Sequence, residues 1–256
     1  MCGRSEGFIS SLVTEALSRV YERFSYLLDL QNLGRYVHRF EDWRTATLDK
    51  YNEILGRNDH ELPERFSQSC VFMDCVRQYI ARPSENQQLF YSGFTGNHNI
   101  TRLVVTSPCG FFLAASNAMP GRNNDMNVAN ASNVTQHLAA CGAKAMTDKG
   151  FRNTEGTVAA LPRTMEYHMM VDPELAALSA IRTAGVEWPF GQLQEAFPYL
   201  VQVWKQKVFH TSPVTWFSVG MILCNMVRLQ RGCNGNTYFH MHPIYGSVSE
   251  YIQRDD

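Results

Sequence analysis

Apolar residues fall at Phe8, Ile9, Leu12, Val13, Ala16, Leu17, Val20, Phe24, Leu27 and Leu28. This i, i+3, i+4 spacing lines one face of an α-helix. A looser stripe of Tyr36, Val37, Phe40, Trp43, Ala46, Tyr51 and Ile54 predicts a second helix over residues 33–55. The polar stretch 57–63 ends in proline and reads as a linker. Beyond it the period changes. Residues 69–74 are a short apolar run of the length of a buried strand. Residues 102–106 and 111–116 are two more strands, joined by Ser107-Pro-Cys-Gly110, which has hairpin-turn chemistry. A polar loop at 120–125 leads into a helix over 126–140, and residues 143–147 form a fourth strand that ends at Asp148. The next helix runs from 172 to 197, with Asp172 as N-cap and Pro173 as first helical residue. Pro189 within it is expected to kink or interrupt it. Residues 214–229 form a last apolar helix, and the chain from Gly232 reads as loop.

The first three strands are expected to be antiparallel neighbours, with the fourth returning after a helix. The fold class is therefore α/β, a mixed sheet flanked by helices. A helical N-terminal segment, 1–62, precedes a domain over 63–256. Composition agrees with a globular chain: 256 residues, 45% hydrophobic and 18% charged, with no repeat and no low-complexity segment. Lys plus Arg number 23 against 24 Asp plus Glu, so no overall positive field draws the surface to nucleic acid. Any DNA contact must come from local clusters or from a partner. The 7 cysteines are scattered, without a CxxC pair or zinc-finger spacing, which argues against a disulfide framework or a structural zinc. The first residues lack an apolar core of signal-peptide length. The apolar run at 214–227, interrupted by Asn225, is shorter than a membrane span requires. Three Asn-x-Ser/Thr triplets, at Asn99, Asn130 and Asn133, are read as chance.

Three acids stand in unusual surroundings. Asp74 and Asp148 each end an apolar strand, and Glu187 lies in the apolar stretch 184–190. Carboxylates among apolar neighbours are costly to bury unless paired or bound to a metal. Acids at strand ends converge at one edge of a sheet, and a helical Glu packed over that edge could join them. Two Asp and one Glu suit Mg²⁺, a hard ion that prefers oxygen ligands and keeps several waters. From spacing alone, turn-forming Asp and a solvent-facing helical Glu remain open alternatives.

The surrounding text adds a resemblance. Phe72-Met-Asp74-Cys-Val-Arg-Gln-Tyr-Ile-Ala-Arg82-Pro83, followed by Gln87, Tyr91-Ser92-Gly93 and His98, resembles the first catalytic block of Harbinger/PIF-like DDE transposases, which reads F-I-D-G-T, R-P, Q, Y-S-G-H-K-R and H. Gly121-Arg122-Asn123-Asn124-Asp125 is similar to the family's G-R-R-H-D turn, and Met146-Thr-Asp148-Lys-Gly-Phe151 to its G-D-x-x-Y strand end. Arg182-Thr-Ala-Gly-Val186-Glu187-Trp188-Pro-Phe190-Gly191 resembles R-x-x-V-E-W-x-F-G. Asn225, Tyr238-Phe239 and Tyr251 follow the C-terminal pattern. The resemblance runs from about residue 20 to the end.

It implies an RNase H-like fold with Asp74, Asp148 and Glu187 as the catalytic, metal-binding triad. It further implies two divalent ions, Mg²⁺ or Mn²⁺, cleavage of DNA at element ends, and attack of the freed 3′ hydroxyl on target DNA. The partners it implies are DNA, a separate Myb-like DNA-binding protein and other copies of the chain, with no membrane, and the address it implies is nuclear. The chain departs from the pattern in places. Phe94-Thr95-Gly96 replaces the basic H-K-R, which predicts weaker local affinity for DNA. Cys75 replaces Gly and is expected to add bulk beside the metal. Asn123 and Asn124 replace Arg and His, and Phe151 lacks the tyrosine hydroxyl. These departures keep two rivals in view: a decayed or host-adopted scaffold that binds DNA or protein, and a generic metal-dependent phosphoesterase. Around the triad, His98 is read as a phosphate contact, a group that orients a ligand or a surface histidine, Asp125 as a brace for a metal-site loop or the cap of the next helix, and Arg182 as a partner for an acid or a solvated side chain. The pair His240 and His242 is read as a poor metal site, and Trp43, Trp188, Trp204 and Trp216 as core.

Overall fold

The computed structural model describes residues 6–58, 61–160, 172–208 and 212–253. Two helices open the chain, α1 (Glu6–Phe24) and α2 (Phe40–Leu55), joined by 3-10 turns over Ser25–Leu28 and Leu30–Arg39. The predicted stripes are thus helical, but their fates differ. Leu27, Leu33, Tyr36, Phe40 and Trp43 enter the main core, whereas Phe8, Ile9, Leu12 and Val13 lie exposed, Leu12 by 55%. Residues 59 and 60 of the expected linker lie outside the described residues.

The sheet begins with β1 (Ser69–Tyr79), followed by the single-turn α3 (Gln87–Phe90), β2 (Tyr91–Ser92), β3 (Asn97–Thr106), β4 (Phe112–Ala115) and β5 (Met119–Pro120). The helices α4 (Asp125–Ser132) and α5 (Val134–Ala140) precede β6 (Lys144–Thr147) and β7 (Thr157–Ala159). The single helix expected over 126–140 is therefore split at Asn133, which takes a left-handed conformation with φ 53°. In the sheet, β1 lies between β3, to which it is antiparallel, and β6, to which it is parallel; β7 runs parallel on the far side of β6. β2, β4 and β5 all pair antiparallel with β3. A central first strand, antiparallel to the hairpin after it and parallel to the strand after the crossover helices, is the RNase H-like arrangement. The expected α/β class and its four strands are present, but β1 runs on to Tyr79 through its pairing with β3, so Asp74 lies in the middle of the strand rather than at its end; β2, β5 and β7 are additions of two or three residues.

Alternation along β1 separates two cores. Val71, Met73 and Cys75 face the main core with the 3-10 turns, α4 and α5; Phe72 faces a second core, in register with Met146 of β6 and Val158 of β7. The second core is closed by α6 (Pro173–Ala196), through Ala177, Leu178, Ile181 and Ala184. Asp172 caps α6 by accepting from the N–H groups of Glu174 (2.9 Å) and Leu175 (3.4 Å), as the sequence predicts.

Pro189 does not interrupt α6. It lacks the N–H that would have bonded the Gly185 carbonyl four residues earlier, and the Thr106 hydroxyl of β3 donates to that carbonyl at 2.7 Å instead. The buried helix α7 (Pro213–Arg231) follows, then the short helices α8 (Asn234–Tyr238) and α9 (Val248–Tyr251) where loop was expected. Asn225, the polar residue in the apolar run, pairs with both backbone groups of Phe112 on β4 (3.0 and 2.9 Å) and donates to the Tyr251 hydroxyl (2.9 Å). It thereby satisfies a sheet edge that would otherwise be buried unpaired. No helix among the described residues is long and apolar enough to cross a membrane.

Candidate active site along β1 and at the end of β6

Strand register brings the two aspartates together. Phe72 is paired with Met146 across the parallel β1–β6 ladder. Two residues further on, Asp74 and Asp148 therefore stand at the same level on the same face, because side chains alternate with period two. β6 ends at Thr147, so Asp148 occupies the first position beyond the ladder. A tight turn holds it there: its Oδ1 accepts from the Gly150 N–H at 2.8 Å. Asp74 Oδ1 accepts from the Cys75 N–H at 2.7 Å.

Glu187 is carried on α6 with its side chain 56% exposed, the solvent-facing alternative left open by the sequence, although α6 itself lies close to β1. A Cβ built on Gly185 would stand 2.3 Å from the Phe72 ring, so only glycine allows this contact. One turn earlier, Arg182 reaches Asp74 Oδ2 at 2.5 Å; its other guanidinium nitrogen reaches Glu187 Oε1 at 3.1 Å. Asp74 and Glu187 are thus joined through a cation supplied by the chain. Arg182, weighed from the sequence as either paired or solvated, is paired and largely buried.

Burial pushes the Asp74 carboxyl up to about 6, and the negative charges of Asp148 and Asp125 add to the rise; the Arg182 guanidinium and the Cys75 N–H oppose it. Asp125, for which the sequence leaves open a loop brace or a helix cap, is not the cap. The cap of α4 is Asn124, whose side chain accepts from the Asn127 N–H at 2.8 Å. Asp125 instead binds Arg77 of β1 at 2.5 Å. The only sequence signal for this was the family turn motif around it.

Cys75 packs against Asp125 rather than beside Asp74 and Asp148. It follows Asp74 in the strand and so faces the opposite side, toward the Asp125 carbonyl at 3.9 Å. Its burial there raises its thiol pKa well above the ordinary range. His98 packs edge-on against Tyr91, with ring centroids 5.5 Å apart. His240 lies 3.2 Å from Glu53. Of the four tryptophans only Trp43 is fully buried; Trp216 stacks on Tyr199 at 4.3 Å, Trp188 meets the Tyr238 ring edge-on, and Trp204 is exposed.

Two carboxylates on neighbouring strands, Asp74 within β1 and Asp148 just past β6, one with its proton affinity raised by burial and a like charge, are a hard-oxygen set that a dication would stabilise. A cation already bridges Asp74 and Glu187, in the form of Arg182. Among the described residues, no three His, Cys, Asp or Glu side chains are gathered closely enough to hold one ion. Arg182 occupies an oxygen of both Asp74 and Glu187, so in this conformation the three acids are not assembled as one ligand set.

A cleft of about 460 Å³ opens beside Asp148, lined also by Arg77, Phe94, Arg122, Asp125 and Lys149. A second cleft, of about 640 Å³, shares Asn124, Lys149 and Gly150 with it and is lined further by Asn127, Asn130 and Arg152.

The family model described as DDE superfamily endonuclease matches residues 73–225, more than half of the chain. The chain belongs to the DDE superfamily endonucleases, transposase-like nucleases that act on DNA and generally use divalent metals. The matched stretch includes all three acids and Arg182. No curated protein and no solved structure matches.

Proposed function

We propose that the protein is a Harbinger-type DDE endonuclease or transposase, in which Asp74, Asp148 and Glu187 hold two divalent ions, Mg²⁺ or Mn²⁺. The observation that carries this reading is the shared register of Asp74 and Asp148, with α6 pressed onto Phe72 so that Glu187 is linked to Asp74 through Arg182. Bound ions would activate the attacking oxygen and stabilise the leaving one during phosphodiester cleavage. The chain's own work is positional. Asp74 is fixed by the central strand, Asp148 by its turn, and Glu187 by a helix whose height over the sheet is set at Gly185. Arg77 and Arg122 line the adjoining cleft and provide positive charge for a DNA backbone. Cleavage at element ends and joining of the freed 3′ hydroxyl to target DNA are the reactions assigned to this site. The near-neutral net charge of −1 supports recognition through a separate Myb-like partner in the nucleus, with copies of this chain acting together at paired ends.

The test is metal-dependent nicking of element-end DNA. Wild type is expected to nick, and Asp74→Ala, Asp148→Ala and Glu187→Ala are each expected to lose at least about 100-fold, since the ions supply most of the charge stabilisation. Equal behaviour of wild type and variants removes the catalytic reading. A second reading, a non-catalytic host-adopted scaffold, is favoured by the Arg182 bridge and by the loss of the family cations at Phe94-Thr95-Gly96. Calorimetry separates the two: a scaffold takes up no Mn²⁺ at the acids.

A further inference from the structure

Phe94 is 89% exposed, although large apolar side chains usually find cover. It sits in the turn between β2 and β3, where Ser92 is paired with Asn97. That turn is secured without the ring. The Gly96 N–H bonds the Ser92 carbonyl at 2.9 Å, the Thr95 N–H approaches the Ser92 hydroxyl at 3.4 Å, and Gly96 takes φ 68°. Nothing in the local fold requires an aromatic residue here.

The ring is nevertheless held in place. The Arg77 guanidinium lies 5.6 Å from its centroid, and Arg77 is fixed in turn by Asp125 at 2.5 Å. Arg77 is three residues beyond Asp74 on β1, and Phe94 and Asp148 line the same cleft. The site therefore combines an exposed aromatic face on a fixed support, flanking cations at Arg122 and Lys149, and an acid of the triad within one cavity. Duplex DNA offers phosphates to cations but hides its base faces, whereas an unpaired base presents a face that stacks on an aromatic ring whatever its sequence.

We propose that Phe94 is a stacking platform for an unpaired DNA base, so that the cleft takes single-stranded or frayed DNA ends beside the phosphodiester at Asp148. Where the resembling family carries cations for phosphate, this chain exchanges charge for stacking. The inference rests on the nuclease reading for the presence of DNA in the cleft, but its test does not use cleavage. Binding of oligonucleotides carrying 2-aminopurine is measured in the presence of a chelator, by anisotropy and by quenching of the probe. Wild type is expected to bind single strands and quench the probe. Phe94→Ala should lose about 5- to 100-fold in affinity, the loss expected for one stacked base, together with the quenching. Phe94→Trp should retain both, and binding to blunt duplex should be equal in all three proteins. Unchanged single-strand affinity and quenching in Phe94→Ala, or a wild type that does not bind single strands, overturns the proposal. Absence of nicking with Phe94-dependent binding intact would remove the nuclease reading and leave the platform standing.

Discussion

Arg228 and Arg182 are both guanidinium groups withdrawn from water, and the protein answers them with opposite chemistry. Arg228, on the last turn of α7, is 3% exposed and meets no carboxylate among the described residues. It donates to the carbonyls of Gly110 and Pro189 and to Gln192 Oε1, and it stacks over the Phe112 ring at 4.6 Å. Burial lowers its pKa from the ordinary arginine value. Arg182 is answered by two acids, Asp74 and Glu187. The partners of Arg228 are dipoles built into the β3–β4 turn and α6, which only a positioned donor can satisfy. The partners of Arg182 are charges, which another cation could satisfy equally well. The first arginine belongs to the fold, whereas the second occupies a place that could be vacated.

The strongest test of this contrast is Arg228→Met. It strands two buried carbonyls and the Gln192 oxygen, at about 3 kcal/mol in total, and should lower Tm by roughly 10 °C in a calorimetric scan. A loss no greater than that of Arg182→Met would erase the distinction. Gly185→Ala comes next. Forcing a methyl group toward the Phe72 ring should cost about 1–3 kcal/mol and lift α6, weakening the Arg182–Asp74 contact. A variant with unchanged Tm and unchanged nicking would show that helix height does not matter to the acids.

Asp74→Asn is the smallest change, and its sign is opposite. The Asp74 carboxyl titrates at about 6 in the folded chain against an ordinary 3.8, so the folded state holds this proton more tightly than the unfolded one. Its contribution to stability is full below about pH 4, declines as pH rises from about 4 to 6, and stays lost above that. Asn carries no charge, so at pH 7 the variant should be more stable than wild type, and near pH 3.5 the two should coincide. Adding Mn²⁺ at pH 7 should raise Tm of wild type and leave that of the variant nearly unchanged. A variant less stable than wild type at pH 7 would mean that the bridge to Arg182 outweighs the burial of the charge.

Much of this arrangement could be read in the residues, for local reasons. The apolar runs before Asp74 and Asp148 mark strands because each is short and bounded by polar residues, and Asp172-Pro173 announces the start of α6 by its capping chemistry. Pairing was harder to foresee. That Asp74 and Asp148 stand level depends on how β1 is registered with β6, a long-range property that no local pattern encodes. Pro189 reads as a kink or interruption of α6, but the acceptor it orphans, the Gly185 carbonyl, is met by Thr106, 79 residues away in the chain. The stripe at Phe8, Ile9, Leu12 and Val13 correctly indicates a helix, yet periodicity specifies a face and not what covers it. Arg182 and Asp125 were ambiguous because a charged residue near a site reads the same in sequence whether it pairs inward or faces water.

The bare backbone at Gly185 has a mechanical consequence. With no side chain between α6 and the Phe72 ring, the gap is set by the thickness of an aromatic plane, a dimension that does not adjust by rotating a bond. Glu187, half a turn further on, inherits that calibration, so its distance from the sheet is governed by main chain rather than by flexible side chains.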